Sequence, residues 1–200
     1  MQWKLDLTDG VTLGDSDTTL ESLASQFPWI AKQALNRTAT FTRARVIEKI
    51  TDVYNVTPGV LRDTRNIRVV DARSTLTAKV TATGRRLPLV DFGARQTRQG
   101  VTIMVKRSGG RKLIPHAFIA RMQSGHEGLF LRVPGAKVEP TRGRYAGTGI
   151  KRQKIEERFS LSVGQMMIAQ DVYAEVEEQL AAFFHDEFIR RLGVYLSTGH

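Results

Sequence analysis

The sequence predicts an α+β fold: an antiparallel sheet of about five or six strands covered by a long N-terminal helix, with a second long helix at the C-terminus. Three observations carry this expectation. Residues 28 to 54 repeat small and apolar side chains at helical spacing. Residues 67 to 133 hold short β-branched runs joined by connections too brief for crossover helices, which makes the sheet antiparallel. Residues 160 to 192 return to a helical stripe. One domain over 1–200 is expected, with an exposed basic loop or arm at 138–154.

In chain order, Trp3, Leu5 and Leu7 alternate with polar residues as a short half-buried strand that ends at Asp9-Gly10. Asp15 to Thr19 offer N-caps for a short helix through Leu20 and Leu23. Pro28 suits the first turn of a new helix, so the long helix restarts near Phe27. Its apolar side comprises Ile30, Ala31, Ala34, Leu35, Ala39, Phe41, Ala44, Ile47 and Ile50, and the alanines let a neighbour approach closely. Thr57-Pro58 begins a helix of two turns at most that carries Arg62 and Arg65. A break followed by a short basic helix also has the outline of a DNA-reading helix-turn-helix, though it is short for a recognition helix.

Strands follow at 67–72, at 75–81 and, interrupted by Pro88, at 85–92. Val101 to Lys106 alternates in the same way. Leu113 to Met122 and Leu129 to Val133 are apolar runs flanking Gln123-Ser124-Gly125-His126-Glu127-Gly128, a hairpin turn with two glycines. Together the three runs predict a three-stranded meander, with Phe118 and Phe130 in the sheet core. Val138 to Lys154, rich in glycine and cations and poor in apolar residues, reads as a loop. Ser160 or Ser162 caps a final helix to about Leu192, whose inner face is Tyr173, Val176, Leu180, Phe184, Phe188 and Leu192.

The net charge of +10 is unevenly spread. Between Arg85 and Arg158 stand seventeen Lys and Arg against five Asp and Glu, so the rest of the chain is mildly acidic. Such a segment can neutralise phosphates or dock on an acidic protein surface. No apolar run reaches the ~20 residues of a membrane span, and Asp6, Asp9, Asp15 and Asp17 stand where a signal peptide would be basic and then apolar. An unexported protein without membrane contact is expected. The absence of cysteine excludes disulfides and thiolate metal sites and fits a reducing cytoplasm.

No catalytic constellation emerges. His126-Glu127 would need a second histidine one helical turn on to resemble a zinc-protease helix, and Phe130 occupies that place. Gly147-Thr148-Gly149 is followed by Ile150-Lys151-Arg152, which breaks the phosphate-loop spacing. His185, Asp186 and Glu187 are consecutive on a helix and splay around it. Asp91, Glu127, Glu139 and the adjacent Glu156-Glu157 are isolated in sequence, whereas a metal-dependent nuclease needs convergent carboxylates. No metal and no cofactor is expected. The residues marked for contact with DNA or a protein partner are Arg142, Arg144, Lys151, Arg152 and Lys154.

The order of features resembles the minor tail protein Z family of long-tailed phages over roughly residues 25 to 192. Its pieces are Ala34-Leu35-Asn36-Arg37, the basic linker helix, the strand region with Ile114-Pro115-His116-Ala117-Phe118-Ile119, Arg132-Val133, and Ser162-Val163-Gly164-Gln165-Met166 before a terminal helix. Ile114, Pro115, Ala117 and Phe118, with Ser162, Val163, Gln165 and Met166, are the more specific residues, and their role is structural. The resemblance implies a non-enzymatic virion protein, made in the host cytoplasm, that completes the head-proximal end of the tail and enables head-tail joining. Implied partners are further copies in a ring, most naturally of six, tail terminator or tail tube proteins, head-tail connector proteins, and packaged DNA. The alternative is a stand-alone basic nucleic-acid-binding module.

Overall fold

The computed structural model describes residues 2–4, 19–141 and 143–197. The expectations for Leu5 to Thr18 and for Arg142 lie outside the described residues. The elements are β1 (Gln2–Lys4), α1 (Thr19–Val53), α2 (Pro58–Arg62), β2 (Ile67–Val70), β3 (Lys79–Ala82), β4 (Arg86–Pro88), β5 (Arg95–Thr97), β6 (Gly100–Ile103), β7 (Lys112–Pro115), β8 (Phe118–Arg121), β9 (Glu127–Val138), β10 (Arg152–Glu157), β11 (Phe159–Ser162), α3 (Val163–Met167) and α4 (Gln170–Ser197). Within the one domain expected over 1–200, they group into two compact units. The first holds the described residues among 1–51, 58–85 and 163–200, and the second holds those among 52–57 and 86–162.

In the first unit α1 is continuous through Pro28, where two helices are expected. Interior proline costs ~3 kcal/mol or more. Packing on both sides offsets it: Phe27 sets its edge against Phe188 with centroids 5.2 Å apart, and Ile30 is fully buried. The buried stripe runs Ile30, Ala34, Leu35, Thr38, Thr42, Val46 and Ile50, so two threonines stand in the apolar face. They fit because each hydroxyl donates to the carbonyl one turn back, Thr38 to Ala34 and Thr42 to Thr38, both at 2.8 Å. Phe41 stacks on Phe183 at 3.9 Å, and Lys49 pairs with Glu175. With Phe27 against Phe188, these contacts make α1 and α4 antiparallel neighbours. The sheet of this unit, ordered β1-β3-β2, joins α1 through Asn36, which accepts from the Ala72 backbone N–H at 2.6 Å.

The single final helix expected from Ser160 or Ser162 is two. Buried Ser162 leads into α3, the chain breaks at Ile168-Ala169, and α4 starts afresh where the Ala169 carbonyl accepts from Val172 and Tyr173. Val172, Val176 and Leu180 are buried, while Tyr173, Phe184, Phe188 and Leu192 are half-buried. Glu187 is also buried, 8% exposed, and it accepts from Arg190 (2.9 and 2.8 Å) and Arg191 (2.7 Å). Arg190 first, and Arg191 after it, hold its carboxyl at about 2 against the opposing effect of burial. A carboxyl depressed in the folded state contributes stability that is complete above its unfolded value near 4.5 and is lost as pH falls through about 2. Thermal melts between pH 7 and pH 2 check this: Glu187→Gln should lower Tm at neutral pH and flatten the acid limb. An acid limb as steep as the parent's would assign the acid sensitivity to other groups.

The expected sheet of five or six strands under a covering helix is not formed. Four small sheets of two or three strands occur among the described residues: β1-β3-β2, β4-β11, β5-β6-β7 and β8-β9-β10. The last three belong to the second unit. The runs are too short and too often interrupted to continue one ladder. Pro88 ends β4 and the chain enters a 3-10 turn, Leu89–Phe92, which buries Leu89 and Phe92. Leu113 to Met122 is not one strand, because His116 takes a positive φ of 59° and turns the chain between β7 and β8. The expected meander is therefore split: β7 pairs with β6, and β8 pairs with β9. The hairpin itself is present in the register Phe118↔Phe130 to Arg121↔Glu127. Phe130 is buried, whereas Phe118 is half-buried under the Arg132 guanidinium, 4.7 Å from its ring centre.

Candidate interaction ribbon

Residues 138–154 are not a loop throughout. β9 extends to Val138 and β10 begins at Arg152, so the basic segment closes a two-stranded ribbon whose described tip is 139–141 and 143–151. At its base Phe130, Leu131 and Arg132 pair with Glu157, Glu156 and Ile155. Further out, Lys137 and Val138 pair with Gln153 and Arg152. Between these blocks β9 advances five residues while β10 advances two, and the excess is a wide bulge at Val133-Pro134-Gly135-Ala136, with Gly135 at φ 74°. Proline and glycine suit it: one cannot donate to a ladder, and the other adopts positive φ without strain.

Beyond the bulge nearly every side chain is exposed. Arg152, Gln153, Lys154, Ile155 and Glu156 are exposed in succession, so both faces of β10 meet solvent. Lys137, Val138, Arg144, Ile150 and Lys151 are exposed as well. The tip has internal order. Arg152 lies over the Tyr145 ring at 3.8 Å, the Gly149 N–H donates to Glu139 at 3.1 Å, and Thr148 donates to the Tyr145 carbonyl at 2.8 Å. Lys154 pairs with Glu156 at 2.8 Å, an exposed contact worth little on its own.

Of the five residues marked for partner contact, Arg152 and Lys154 lie on β10, Arg144 and Lys151 lie in the tip, and Arg142 is outside the described residues. The ribbon adds Arg132, which the sequence reading placed in the hairpin strand without a contact role, and Lys137, which lies beyond the Val133 where that reading ended the strand. The family-motif residues are not gathered in one place. Ile114 pairs with Val101 and Pro115 with Gly100; Ala117 is buried, and Phe118 faces Phe130. Ser162, Val163 and Met166 are buried around the start of α3, and Gln165 is exposed.

One grouping was invisible in the sequence. His126 Nε2 lies 2.7 Å from Glu157 Oε1, thirty-one residues away in the chain. Asp91 is near enough to feel both: burial pushes its carboxyl up, with His126 opposing and Glu157 reinforcing the shift. Among the described residues no group of three His, Asp or Glu is placed to hold a metal ion. No helix among them is long and apolar enough to cross a membrane.

No family model, curated protein or solved structure matches this chain. The ribbon is a cationic strand pair, exposed on both faces, that can be gripped from two sides.

Proposed function

We propose that this chain is a non-catalytic assembly protein of a phage tail, acting at its head-proximal end to complete the tail and enable joining to the head. The ribbon is the observation that carries the reading. Arginines at its tip and on β10 suit planar two-point contacts with carboxylate or phosphate, on an acidic protein rim or on DNA. The order of motifs, from Ala34-Leu35-Asn36-Arg37 to Ser162-Val163-Gly164-Gln165-Met166, supports the same reading through its resemblance to the minor tail protein Z family. A closed ring of six copies, facing tail terminator or tube proteins on one side and connector proteins on the other, is part of the proposal.

Electron microscopy of particles assembled without the protein is the primary test, with unjoined heads and tails as the expected result. Normal virions would overturn the reading. A finer test replaces Arg142, Arg144 and Arg152 with Ser. Folding should be nearly unchanged, within about 1 kcal/mol, because Arg144 and Arg152 are exposed and such charges, even with the Arg152–Tyr145 contact, contribute little to stability. The yield of joined particles should fall at least tenfold, and an unimpaired yield would remove these arginines from the mechanism. The second reading, a stand-alone nucleic-acid-binding module, is favoured by the cation surplus between Arg85 and Arg158. It predicts affinity for free DNA that falls steeply with salt, whereas a junction protein need bind free DNA only weakly.

A further inference from the structure

The first unit contains an open cleft of about 850 Å3 along β2 and β3, apart from anything the proposed function uses. Arg43, Arg65 and Arg68 line it together with Thr64, Thr81 and Thr83; no carboxylate is among its described lining residues, although that of Asp63 pairs with Arg65. Two of the guanidinium groups are held in place by the protein itself. Arg43 reaches out from α1, and its Nε donates to the Ile67 carbonyl at 3.2 Å while Nη2 donates to the Arg62 carbonyl. Those acceptors fix the plane of the group and leave the rest of its donor fork to the cleft. Arg65 is clamped by Asp63 through Nε and Nη2, at 3.0 and 2.6 Å to Oδ2. Arg68 stands on β2 opposite Thr81, whose hydroxyl donates to the Arg68 carbonyl at 3.4 Å.

Ordinary surface arginines lose rotamer freedom when they bind an anion. Arg43, tied to two backbone carbonyls, has already lost much of it on folding, which lowers the cost of recognition, whereas Arg65 is exposed and offers only the donors that Asp63 leaves it. Planar forks with nearby hydroxyls match the oxygens of a phosphate, and phosphate tolerates several cations because it carries charge on more than one oxygen. The cleft is open along the sheet and larger than one such ion, so a run of linked phosphates fills it better. We infer that this cleft is a binding site for the phosphodiester backbone of a nucleic-acid strand. Arg65, just past α2, then acts by framing backbone contacts and not by entering a groove on a recognition helix. Binding is sequence-tolerant, since contacts to phosphates carry no sequence information.

The test follows backbone amide shifts of isotope-labelled protein during titration with a short single-stranded oligodeoxynucleotide and, separately, with inorganic phosphate at equal phosphate concentration. The oligonucleotide should shift the amides of 64–69 and 81–83 at a concentration at which inorganic phosphate does not. Arg68→Gln should weaken that response about fivefold to tenfold, and Arg43→Gln at least as much. Because Arg43 also ties α1 to β2, the Arg68→Gln spectrum decides the matter if the Arg43 variant is misfolded. Shifts confined to residues 132–158 would overturn the inference while leaving the ribbon reading intact. Equal responses to phosphate and oligonucleotide would also overturn it, by marking a site for a free anion, and so would an unaltered Arg68→Gln titration.

Discussion

Replacing Gly100 with alanine should destabilise the second unit by about 3 kcal/mol or more, the upper range for forcing added volume into a packed site. Gly100 is buried at the start of β6, where it pairs with Pro115. A β-carbon there would sit 2.1 Å from the Ile114 carbonyl oxygen and 3.0 Å from both the His116 nitrogen and the Pro115 α-carbon. All three atoms are backbone, so no side chain can swing aside. Its φ of 151° adds to the strain, since L side chains rarely adopt it. At this chain length the loss corresponds to a fall in Tm of roughly 6–12 °C. Urea denaturation of the parent and of Gly100→Ala measures it, and a midpoint unchanged by the substitution would show that β6 and β7 do not approach as closely as described.

Phe130→Ala should be as damaging, at roughly 3–5 kcal/mol, because a fully enclosed phenyl ring leaves a cavity that its neighbours only partly fill. Its ring is 5% exposed and lies 6.1 Å from that of Phe118. Phe118→Ala removes the same number of atoms from a half-buried site that Arg132 shields on one side, so its cost should be smaller, roughly 1–2 kcal/mol. The ordering of the two losses is the useful measurement. Equal losses would mean that Phe118 is as enclosed as Phe130, contrary to its half-buried position.

How far these features could be read from the sequence depended on whether a local pattern encodes them. The long helices were legible because Ala31, Ala34, Leu35, Ile47 and Ile50 keep the period of a buried stripe over many turns. Thr38 and Thr42 were missed as core residues, since nothing in a list of residues shows a hydroxyl satisfied by its own helix. The sheets were misjudged for a related reason. Strands of three or four residues carry enough alternation to be recognised and too little to name a partner. The turn at His116 was hidden inside an apolar run that looked unbroken. The ribbon was read as a loop because Pro134 and Gly135 interrupt the pattern of β9, although pairing resumes beyond them. The pairing of His126 with Glu157 and the burial of Glu187 depend on tertiary placement, and no spacing rule reaches either.

The bulge in β9 also has a bearing on how this chain can vary. Side chains in a strand alternate between two faces, so an odd excess of residues reverses the phase of everything beyond it. The excess of three residues around Pro134 and Gly135 does this, and Lys137 continues an alternation out of step with that of Phe130 and Leu131. The inner strand segment answers to the packing of Leu129 and Phe130, and the outer segment is released from that requirement. Mutations in the tip can therefore accumulate without being screened by the core, and a change of parity at the bulge would exchange the two faces of the ribbon while leaving the sheet beneath it as it is.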